Sequence, residues 1–554
     1  MKTIKIYMAL SFFLFMLSGC DLTDLNENPN EPDNTVDYNF NDPLLASLLR
    51  TGVITEGDVE QRYKSLQIDF YAQIADGGNF VTRNYEIRDD WNLSIYKLFQ
   101  SNLASLNIII NSLSESGDRY KYTIAVAKIW RIYIQANAVD FFGPIPFASY
   151  KETVDNPPYT SVEDAYNEFF TELAEAAEML GGSSEEPIFM DSASDIIFGN
   201  DNERWRKFAN SLRLRYALRL SEVNSSKCTE EAQKAIAAGT MTGSDDNAYL
   251  PPKADGSWGQ NYNYTMFSIT WTTAINMTTT FEKLLTNIGG LNFPTGLVNK
   301  RNGLNGKTIE LTGVHPEKVD PRATQMFDPG FEVGNWKGYP VGLSTTNYNS
   351  GEYYKNNYAE MGYIVKNGAA YITRPYDLFL YEEVCFLKAE AALRGFASGD
   401  AKSEYEKGVR ASFQTWGVSD KADQYLASAE KNLAGTSANF DDQSGAGNTA
   451  LEKIITQKYI AAFPDVAMES WSDKRRLNLP RFDVLIQRYE LLYDNSNTNI
   501  KDPTNFIKRV QYPSQESQIN EEEYNKGLQL LGGPDYVSTP IWWDKNMNYC
   551  TSAN

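Results

Sequence analysis

The sequence contains a single histidine, His315, and this scarcity excludes several classes of enzyme. A Ser-His-Asp or Cys-His device would have to use His315, which stands directly before Pro316 in a polar segment. A zinc site with several histidines is impossible, and no two cysteines have the spacing of zinc ligands. Phosphate-binding and EF-hand loop motifs are absent as well. We therefore predict a protein that is not an enzyme and needs no cofactor; the sequence leaves open whether it binds a structural calcium ion.

Cysteine is also rare, with four residues in the chain. Cys20 closes an amino-terminal leader, which leaves Cys228, Cys385 and Cys550. These three allow at most one disulfide, and the state of Cys228 and Cys550 stays open. Cys385 lies in an apolar helical stretch, where we expect it to be buried as a small hydrophobic residue.

Positively charged residues are too few to balance the negative ones. The chain has 51 Lys and Arg and 72 Asp and Glu, which gives a net charge of −21. Nucleic acids and anionic lipid surfaces repel a strongly acidic protein. The composition therefore argues against nucleic acid as a partner and favours solubility outside the cytoplasm.

The amino terminus has the pattern of an export signal. Lys2 and Lys5 precede an apolar run over residues 6–17. The run is too short for a permanent membrane span, which needs roughly 20 apolar residues. It leads into the sequence LSGC, which ends at Cys20 and resembles the lipobox of bacterial lipoproteins. That resemblance implies that residues 1–19 are a signal peptide and that Cys20 is acylated. Stable membrane anchoring needs more than one acyl chain.

The remaining chain divides by composition. Residues 20–41 are acidic and rich in Asn and Pro, which predicts a flexible tether, and acids directly after the lipidated cysteine resemble the surface-export signal of Bacteroidetes lipoproteins. Residues 42–554 form the predicted body. Its apolar periodicity is helical over 42–239 and 376–554, whereas 240–375 is a loop-rich lobe.

Three stretches of the body support specific structural predictions. Ala125, Ile129, Ile132, Ala136 and Val139 share one helix face, and the helix should end at the Gly-Pro pair that follows Phe142. An Arg-rich helix over 203–223 should pair with the protein's own carboxylates. The aromatic tail 539–544 should pack as a plug.

The loop-rich lobe carries the candidate ligand site. Its aromatic residues alternate with Asn, and a flat ring can stack on the apolar face of a sugar while amides bind the hydroxyl rim. Each ring could equally belong to the core. The candidate ligand-binding residues are Trp258, Tyr262, Tyr264, Trp336, Tyr339, Tyr353 and Tyr354.

Several motifs together resemble one known family. The segments are FIKRVQYP (506–513), LLGGPD (530–535), TPIWWD (539–544), KFANSLRLR (207–215) and DFFGPIP (140–146). They are similar to the SusD/RagB family of nutrient-binding outer-membrane lipoproteins, and more closely to its second SusD-like subfamily. The resemblance covers nearly the whole mature chain. It carries over no ligand residue, because the motifs are structural.

The resemblance implies a mostly α-helical, SusD-like protein with a scaffold of tetratricopeptide-like helix pairs. It implies a lipid-anchored protein on the outer membrane that faces the extracellular side, with a SusC-like TonB-dependent transporter as partner. We hypothesise that the chain binds oligosaccharide and delivers it to that transporter as a lid. One alternative is the same transport role with peptide substrates. The other is a lipoprotein glycosidase, because the many Asp and Glu residues could include a catalytic pair of carboxylates.

Overall fold

Helices dominate the structure, as the apolar periodicity predicts. The computed structural model describes residues 41–53, 72–74, 89–115, 117–146, 157–181, 191–251, 275–299, 309–340, 351–362, 375–481 and 507–545. The chain divides into two units, Met1–Leu44 and Leu45–Asn554. Residues 41–44 are the described part of the first unit, and apart from these residues everything below concerns the second. The predicted signal peptide, Cys20 and all but the last residue of the tether lie outside the described residues.

The helices range from 4 to 26 residues, and the strands are two to four residues long. The helices are α1 (Asn41–Thr51), α2 (Asp89–Ser114), α3 (Lys121–Phe142), α4 (Val162–Gly181), α5 (Asn202–Arg219), α6 (Ser225–Ala238), α7 (Thr279–Leu285), α8 (Ala323–Met326), α9 (Tyr381–Leu393), α10 (Ala401–Thr415), α11 (Ala422–Ala427), α12 (Ala450–Ala461), α13 (Ala467–Leu477), α14 (Ser514–Ile519) and α15 (Glu521–Leu531). The strands are β1 (Ala72–Ile74), β2 (Ala248–Leu250), β3 (Ile275–Met277), β4 (Val298–Asn299), β5 (Ile309–Glu310), β6 (Phe327–Asp328), β7 (Glu360–Met361) and β8 (Tyr376–Phe379). The prediction of a mostly helical protein is confirmed.

The strands form three small antiparallel sheets. One has the order β1-β3-β7-β6, and the pairs β2-β8 and β4-β5 form the others. In the larger sheet Asn276 lies opposite Glu360, which in turn lies opposite Asp328. Because opposite residues share a face, these three polar residues form one row across the sheet. Apart from β1 and β8, these strands lie within 240–375, whose longest described helix is α7.

Helix α3 lies at the centre of the core. The five residues of its predicted face are each at most 1% exposed, and apolar residues on its other faces are buried as well. A helix that is apolar all round needs cover on every side. The helix ends at Phe142 because Gly143 adopts a φ of 86° and its amide closes on the Val139 carbonyl, as the Gly-Pro pair predicts.

Consecutive helices pack against each other in pairs. Contacts join α2 to α3, α3 to α4, α4 to α5, α5 to α6 and α9 to α10. Ser161 begins α4, since its hydroxyl accepts a hydrogen bond from the Asp164 amide at 3.0 Å. Around α9, α10 and α12 a second apolar cluster includes Phe386, Phe413 and Ile454. The scaffold is therefore a stack of helix pairs.

The Arg-rich face of α5 is neutralised inside the protein, as predicted. Its ion pairs are Arg213 with Glu231 at 2.5 Å, Arg215 with Glu383 at 2.7 Å and Arg219 with Glu469 at 2.8 Å. A buried charge without a partner is strongly destabilising. These pairs explain how a helix with so many arginines can lie in the core.

Two of these pairs belong to a longer chain of alternating charges, which we term the ionic network. Its members, in order, are Asp140, Arg219, Glu469, Arg215, Glu383, Lys458, Asp473, Arg476, Glu390, Arg394 and Glu222, each within 4.0 Å of the next. The network joins α3, α5, α9, α12 and α13. Separating any of these helices would leave buried charges without partners.

The aromatic tail packs as a plug, as predicted. Trp543 is fully buried, and its Nε1 donates to Oδ1 of Asp140 at 2.9 Å. The guanidinium of Arg475 lies 4.5 Å from the Trp543 ring centroid and donates to the Asp140 carbonyl at 2.7 Å. The tail thus completes the surroundings of α3.

Two cysteines are described, and both Cys228 and Cys385 are buried free thiols. Burial raises the pKa of each to about 12, so both stay protonated at neutral pH. The prediction that Cys385 behaves as a buried hydrophobic residue is confirmed. Cys550 lies outside the described residues.

Candidate ligand-facing surface

Two of the predicted ligand residues, Trp336 and Tyr339, lie in the core. Both are 0% exposed. The indole Nε1 of Trp336 donates to the Phe327 carbonyl at 3.2 Å, and the Tyr339 ring meets Tyr358 edge-on at 4.8 Å. Rings enclosed in this way cannot stack on a ligand, so the structure corrects the expectation that these two are accessible.

The backbone between these two rings is anchored to α7. The Gly338 amide donates to Oε2 of Glu282 at 2.9 Å. Burial raises the pKa of the Glu282 carboxyl, because desolvation outweighs the stabilising effect of this hydrogen bond. The anchor holds Trp336 and Tyr339 inward.

The predicted residues Trp258, Tyr262 and Tyr264 lie outside the described residues and stay predictions. Tyr353 and Tyr354 are described, at the end of a short helical turn, Gly351–Tyr353. Tyr353 is partly exposed, and Tyr354 is 46% exposed. Tyr354 is therefore the described candidate whose ring is most open to solvent.

Polar groups stand beside the Tyr354 ring. The Asn356 side-chain amide donates to the Tyr354 hydroxyl at 2.9 Å and lies 3.4 Å from Oε1 of Glu332. One amide thus holds a ring hydroxyl and an exposed carboxylate together. The sequence analysis missed Glu332 and Asn356, because their proximity comes from the pairing of two separate loops.

Backbone hydrogen bonds join the loops that carry these side chains. The Glu332 amide donates to the Asn356 carbonyl at 3.0 Å. Asn335 bridges two further segments, since its side-chain amide donates to the Asn357 carbonyl at 3.0 Å and its Oδ1 accepts from the Val314 amide at 2.8 Å. Asn335 therefore fixes three loops in one arrangement.

Gly334 allows the closest approach in this arrangement. Its φ is 65°, and a Cβ atom built on it would lie 2.2 Å from the Glu310 carbonyl oxygen. A side chain at this position would meet both backbone strain and a steric clash. The glycine is thus required by the loop pairing.

Apolar side chains extend the exposed part of these loops. Val314 is 66% exposed and Val333 is 46% exposed. His315 is also exposed, and its ring lies 4.8 Å from Phe293, which meets the buried Trp336 at 5.3 Å. Phe293 thus lies between the exposed His315 ring and the buried Trp336 ring. We term Val314, Glu332, Val333, Tyr354 and Asn356 the lobe surface.

The lobe surface combines an aromatic ring, an amide, a carboxylate and aliphatic groups. Such a set can stack on an apolar face and bind hydroxyl or amine groups at its rim. Among the described residues, no group of three or more His, Cys, Asp or Glu side chains is placed to hold a metal ion. No described helix is both long enough and apolar enough to cross a membrane.

Known proteins resemble this chain over nearly its whole length. Residues 311–544 match the SusD-like family, described as "Susd and RagB outer membrane lipoprotein". Residues 38–292 match the SusD-like_2 family, described as "Starch-binding associating with outer membrane". A SusD homolog from Parabacteroides distasonis is 54% identical, with a TM-score of 0.86, covering 93% of this chain and 100% of that one. The chain belongs to the SusD family.

Other SusD-family structures are more distant. A chitin-binding SusD homolog from Flavobacterium johnsoniae is 25% identical, with a TM-score of 0.70, covering 91% of this chain and 98% of that one. A SusD homolog from Bacteroides vulgatus, 24% identical, shares the fold with a TM-score of 0.72, over 91% of this chain and 98% of that one. No curated protein matches the chain significantly. This SusD-family member is thus an outer-membrane lipoprotein, and the resemblance read from its motifs is confirmed.

Proposed function

We propose that this SusD-family protein binds oligosaccharide nutrients at the outer membrane surface and delivers them to a SusC-like TonB-dependent transporter. In this proposal it acts as the lid of the transporter and breaks no bond itself. The lobe surface makes the first contact with the sugar. Tyr354 stacks on an apolar sugar face, while Asn356 and Glu332 bind hydroxyl groups.

The observation that carries the proposal is the exposed Tyr354 ring, held beside the Asn356 amide at 2.9 Å. The matched family descriptions and relatives support a saccharide as ligand, since one is described as starch-binding and another as chitin-binding. The exposed His315, which the sequence would need for a triad, packs on Phe293 at 4.8 Å. Its Nδ1 lies 2.9 Å from the Pro316 carbonyl, and no Ser, Cys or Asp side chain among the described residues is hydrogen-bonded to the ring as a triad requires.

Calorimetry on the mature chain tests the ligand class. Maltooligosaccharides, chitooligosaccharides and short peptides serve as probes. We expect one oligosaccharide class to bind, and Tyr354→Ala to weaken its affinity roughly tenfold through loss of the stacking ring. Tyr536→Ala is the matched control, because Tyr536 is 41% exposed in the carboxyl-terminal segment. Failure of every saccharide to bind, or cleavage of any probe, would overturn the proposal.

Peptide binding is the second candidate function. The net charge of −21 favours cationic peptides through long-range attraction. Peptide binding without any saccharide binding would support this candidate. Binding of both classes that depends on Tyr354 would leave the saccharide proposal in place.

The transporter partner needs a separate test. We expect affinity purification of the detergent-solubilised lipoprotein to recover a TonB-dependent barrel in defined stoichiometry. A Cys20→Ala variant, which lacks the proposed anchor, serves as the comparison. Purification of the lipoprotein without any barrel would refute the proposed role as a transporter lid. The proposed ligand binding would be unaffected.

A further inference from the structure

A groove of about 450 Å³ lies along helix α10 and shares no lining residue with the lobe surface. Gly243 and Ser244, Tyr381 at the start of α9, Ser419, and Ala422 at the start of α11 also line it. Its volume is within the usual range of small-molecule sites, about 300–1,000 Å³. The groove is thus large enough for a ligand of about two sugar rings.

The wall formed by α10 carries two cations and an amide. Lys407, Arg410 and Gln414 are all exposed and line the groove. They share a face of the helix because they are three, four and seven residues apart. None of the described residues that line the groove carries a carboxylate, although the whole chain has a net charge of −21. Charges beyond about 8 Å are screened at physiological salt, so the potential in the groove depends on these two cations and on the carboxylates paired with them.

Both cations already hold carboxylates at the groove edge. Nη2 of Arg410 lies 2.7 Å from Oδ1 of Asp423, whose side chain is 87% exposed. Nζ of Lys407 lies 2.6 Å from Oε1 of Glu404. Exposed ion pairs contribute about 0–1 kcal/mol, so a carboxylate on a ligand can displace Asp423 with little loss. Arg410 also has the fork geometry that binds carboxylates at two points.

The remaining walls supply hydroxyl groups and an aromatic ring. Ser244, Tyr381 and Ser419 line the groove together with the α10 side chains. The Tyr381 amide donates to Oδ1 of Asn247 at 2.6 Å, which ties the start of α9 to the segment after the Ser244 turn. These walls offer hydrogen-bonding partners for a polyhydroxylated ligand.

We propose that this groove is a second binding site, for an oligosaccharide that carries a carboxylate, such as a uronic acid disaccharide. Arg410 and Lys407 bind the carboxylate. Gln414, Ser244 and Ser419 bind sugar hydroxyls, and Tyr381 lies along the ring. The site goes beyond the proposed function, because it uses none of the residues of the lobe surface and requires a carboxylate on the sugar.

Calorimetry with digalacturonate, with its neutral methyl ester and with triglutamate tests the site on the mature chain. We expect digalacturonate to bind, and its affinity to fall as salt rises. The ester should bind at least tenfold more weakly. Arg410→Gln should lower the digalacturonate affinity at least tenfold. Lys402→Gln is the matched control on the same helix, since its side chain is 44% exposed against 47% for Arg410.

Several results would overturn this assignment. Absence of digalacturonate binding at millimolar concentration, with the native circular dichroism spectrum retained, is one. Equal affinity in the wild type and Arg410→Gln is another. Triglutamate binding as tight as digalacturonate, with the same dependence on Arg410, would assign the groove to acidic peptides instead. Loss of digalacturonate binding in Tyr354→Ala would place the uronate on the lobe surface.

Discussion

Arg215 and Glu383 form a two-point ion pair in the core, although 168 positions separate them in the sequence. Nε donates to Oε1 at 2.8 Å and Nη2 to Oε2 at 2.7 Å. The guanidinium also lies 3.7 Å from the ring centroid of Phe379. This pair connects α5 to α9 within the ionic network, and it is the natural place to test what the network contributes.

We expect Glu383→Ala to lower the free energy of unfolding by about 3–5 kcal/mol, because it leaves the buried Arg215 charge without its main partner. The double variant Arg215→Met, Glu383→Leu should lose less, since it removes both charges. Urea denaturation measures both values. Lys234→Ala is the control, since its pair with Glu230 is exposed and should change stability by at most about 1 kcal/mol. A double variant less stable than Glu383→Ala would contradict this prediction.

Glu382 should make stability depend on pH. Burial raises the pKa of its carboxyl to about 7, and Oε2 has no hydrogen-bond partner among the described residues. In the unfolded chain the pKa is near 4.3, so between these values the native state binds more protons and stability falls as pH rises. We expect the wild type to lose about 2–3 kcal/mol relative to Glu382→Gln between pH 4.5 and 7.5. If urea denaturation gave the same pH dependence of the free energy of unfolding for both proteins, this prediction would be wrong.

Gly334→Ala should destabilise the lobe more than a comparable change elsewhere. The new Cβ would meet the Glu310 carbonyl at 2.2 Å in addition to the strain of a φ of 65°. We expect a loss of about 2–3 kcal/mol in thermal or urea unfolding. Gly296→Ala is the control, because Gly296 has a φ of 76° but no atom within 4 Å of a built Cβ. It should lose about 1 kcal/mol. Equal losses at both sites would show that the clash is relieved by movement of the loop.

Substitution of Trp336 should affect the stability of the fold much more than substitution of Tyr354. Trp336 is fully buried, so Trp336→Ala should lower the free energy of unfolding by about 3–5 kcal/mol. Tyr354 is 46% exposed, so Tyr354→Ala should change stability by about 0.5 kcal/mol or less. Urea denaturation of the two variants in parallel tests this contrast. A large loss of stability in Tyr354→Ala would assign its ring to the fold.

Cys20→Ala should abolish membrane anchoring. We expect the wild type to incorporate labelled palmitate and to fractionate with outer membranes, since acyl chains contribute about 0.8 kcal/mol per buried methylene. The variant should incorporate no label. Cys550→Ala is the control, because it changes a cysteine outside the lipobox. Labelling of Cys20→Ala, or an unlabelled wild type, would refute the assignment of the leader.

The sequence predicts the fold well where local patterns decide it. The five-residue stripe of α3 and the Gly-Pro end of that helix are local signals, and both are confirmed. The arginines of α5 were expected to find carboxylates, but Glu383 and Glu469 could not be named. They lie 168 and 250 positions beyond Arg215 and Arg219. Pairing over such distances depends on helix packing.

The ligand site was harder to predict, because the identity of an aromatic residue does not show whether its side chain faces the core or the solvent. Trp336, Tyr339 and Tyr354 all lie in one aromatic, polar segment, yet two face the core and one faces solvent. The difference comes from anchors such as the Gly338 amide on Glu282, which join residues 56 positions apart. Asn335 was missed for the same reason, since its role depends on three loops that meet only after folding.

The hydrogen bond from Trp543 to Asp140 has a consequence for how the protein is made, because 403 positions lie between its partners. At synthesis rates of about 5–20 residues per second, roughly 20–80 s pass between the emergence of Asp140 and that of Trp543. The residues of helix α3 are therefore synthesised long before the carboxyl-terminal residues that cover the helix. We expect a chain that ends before Trp543 to leave Asp140 without this donor and α3 without this cover, and to be cleaved by proteases faster than the full chain.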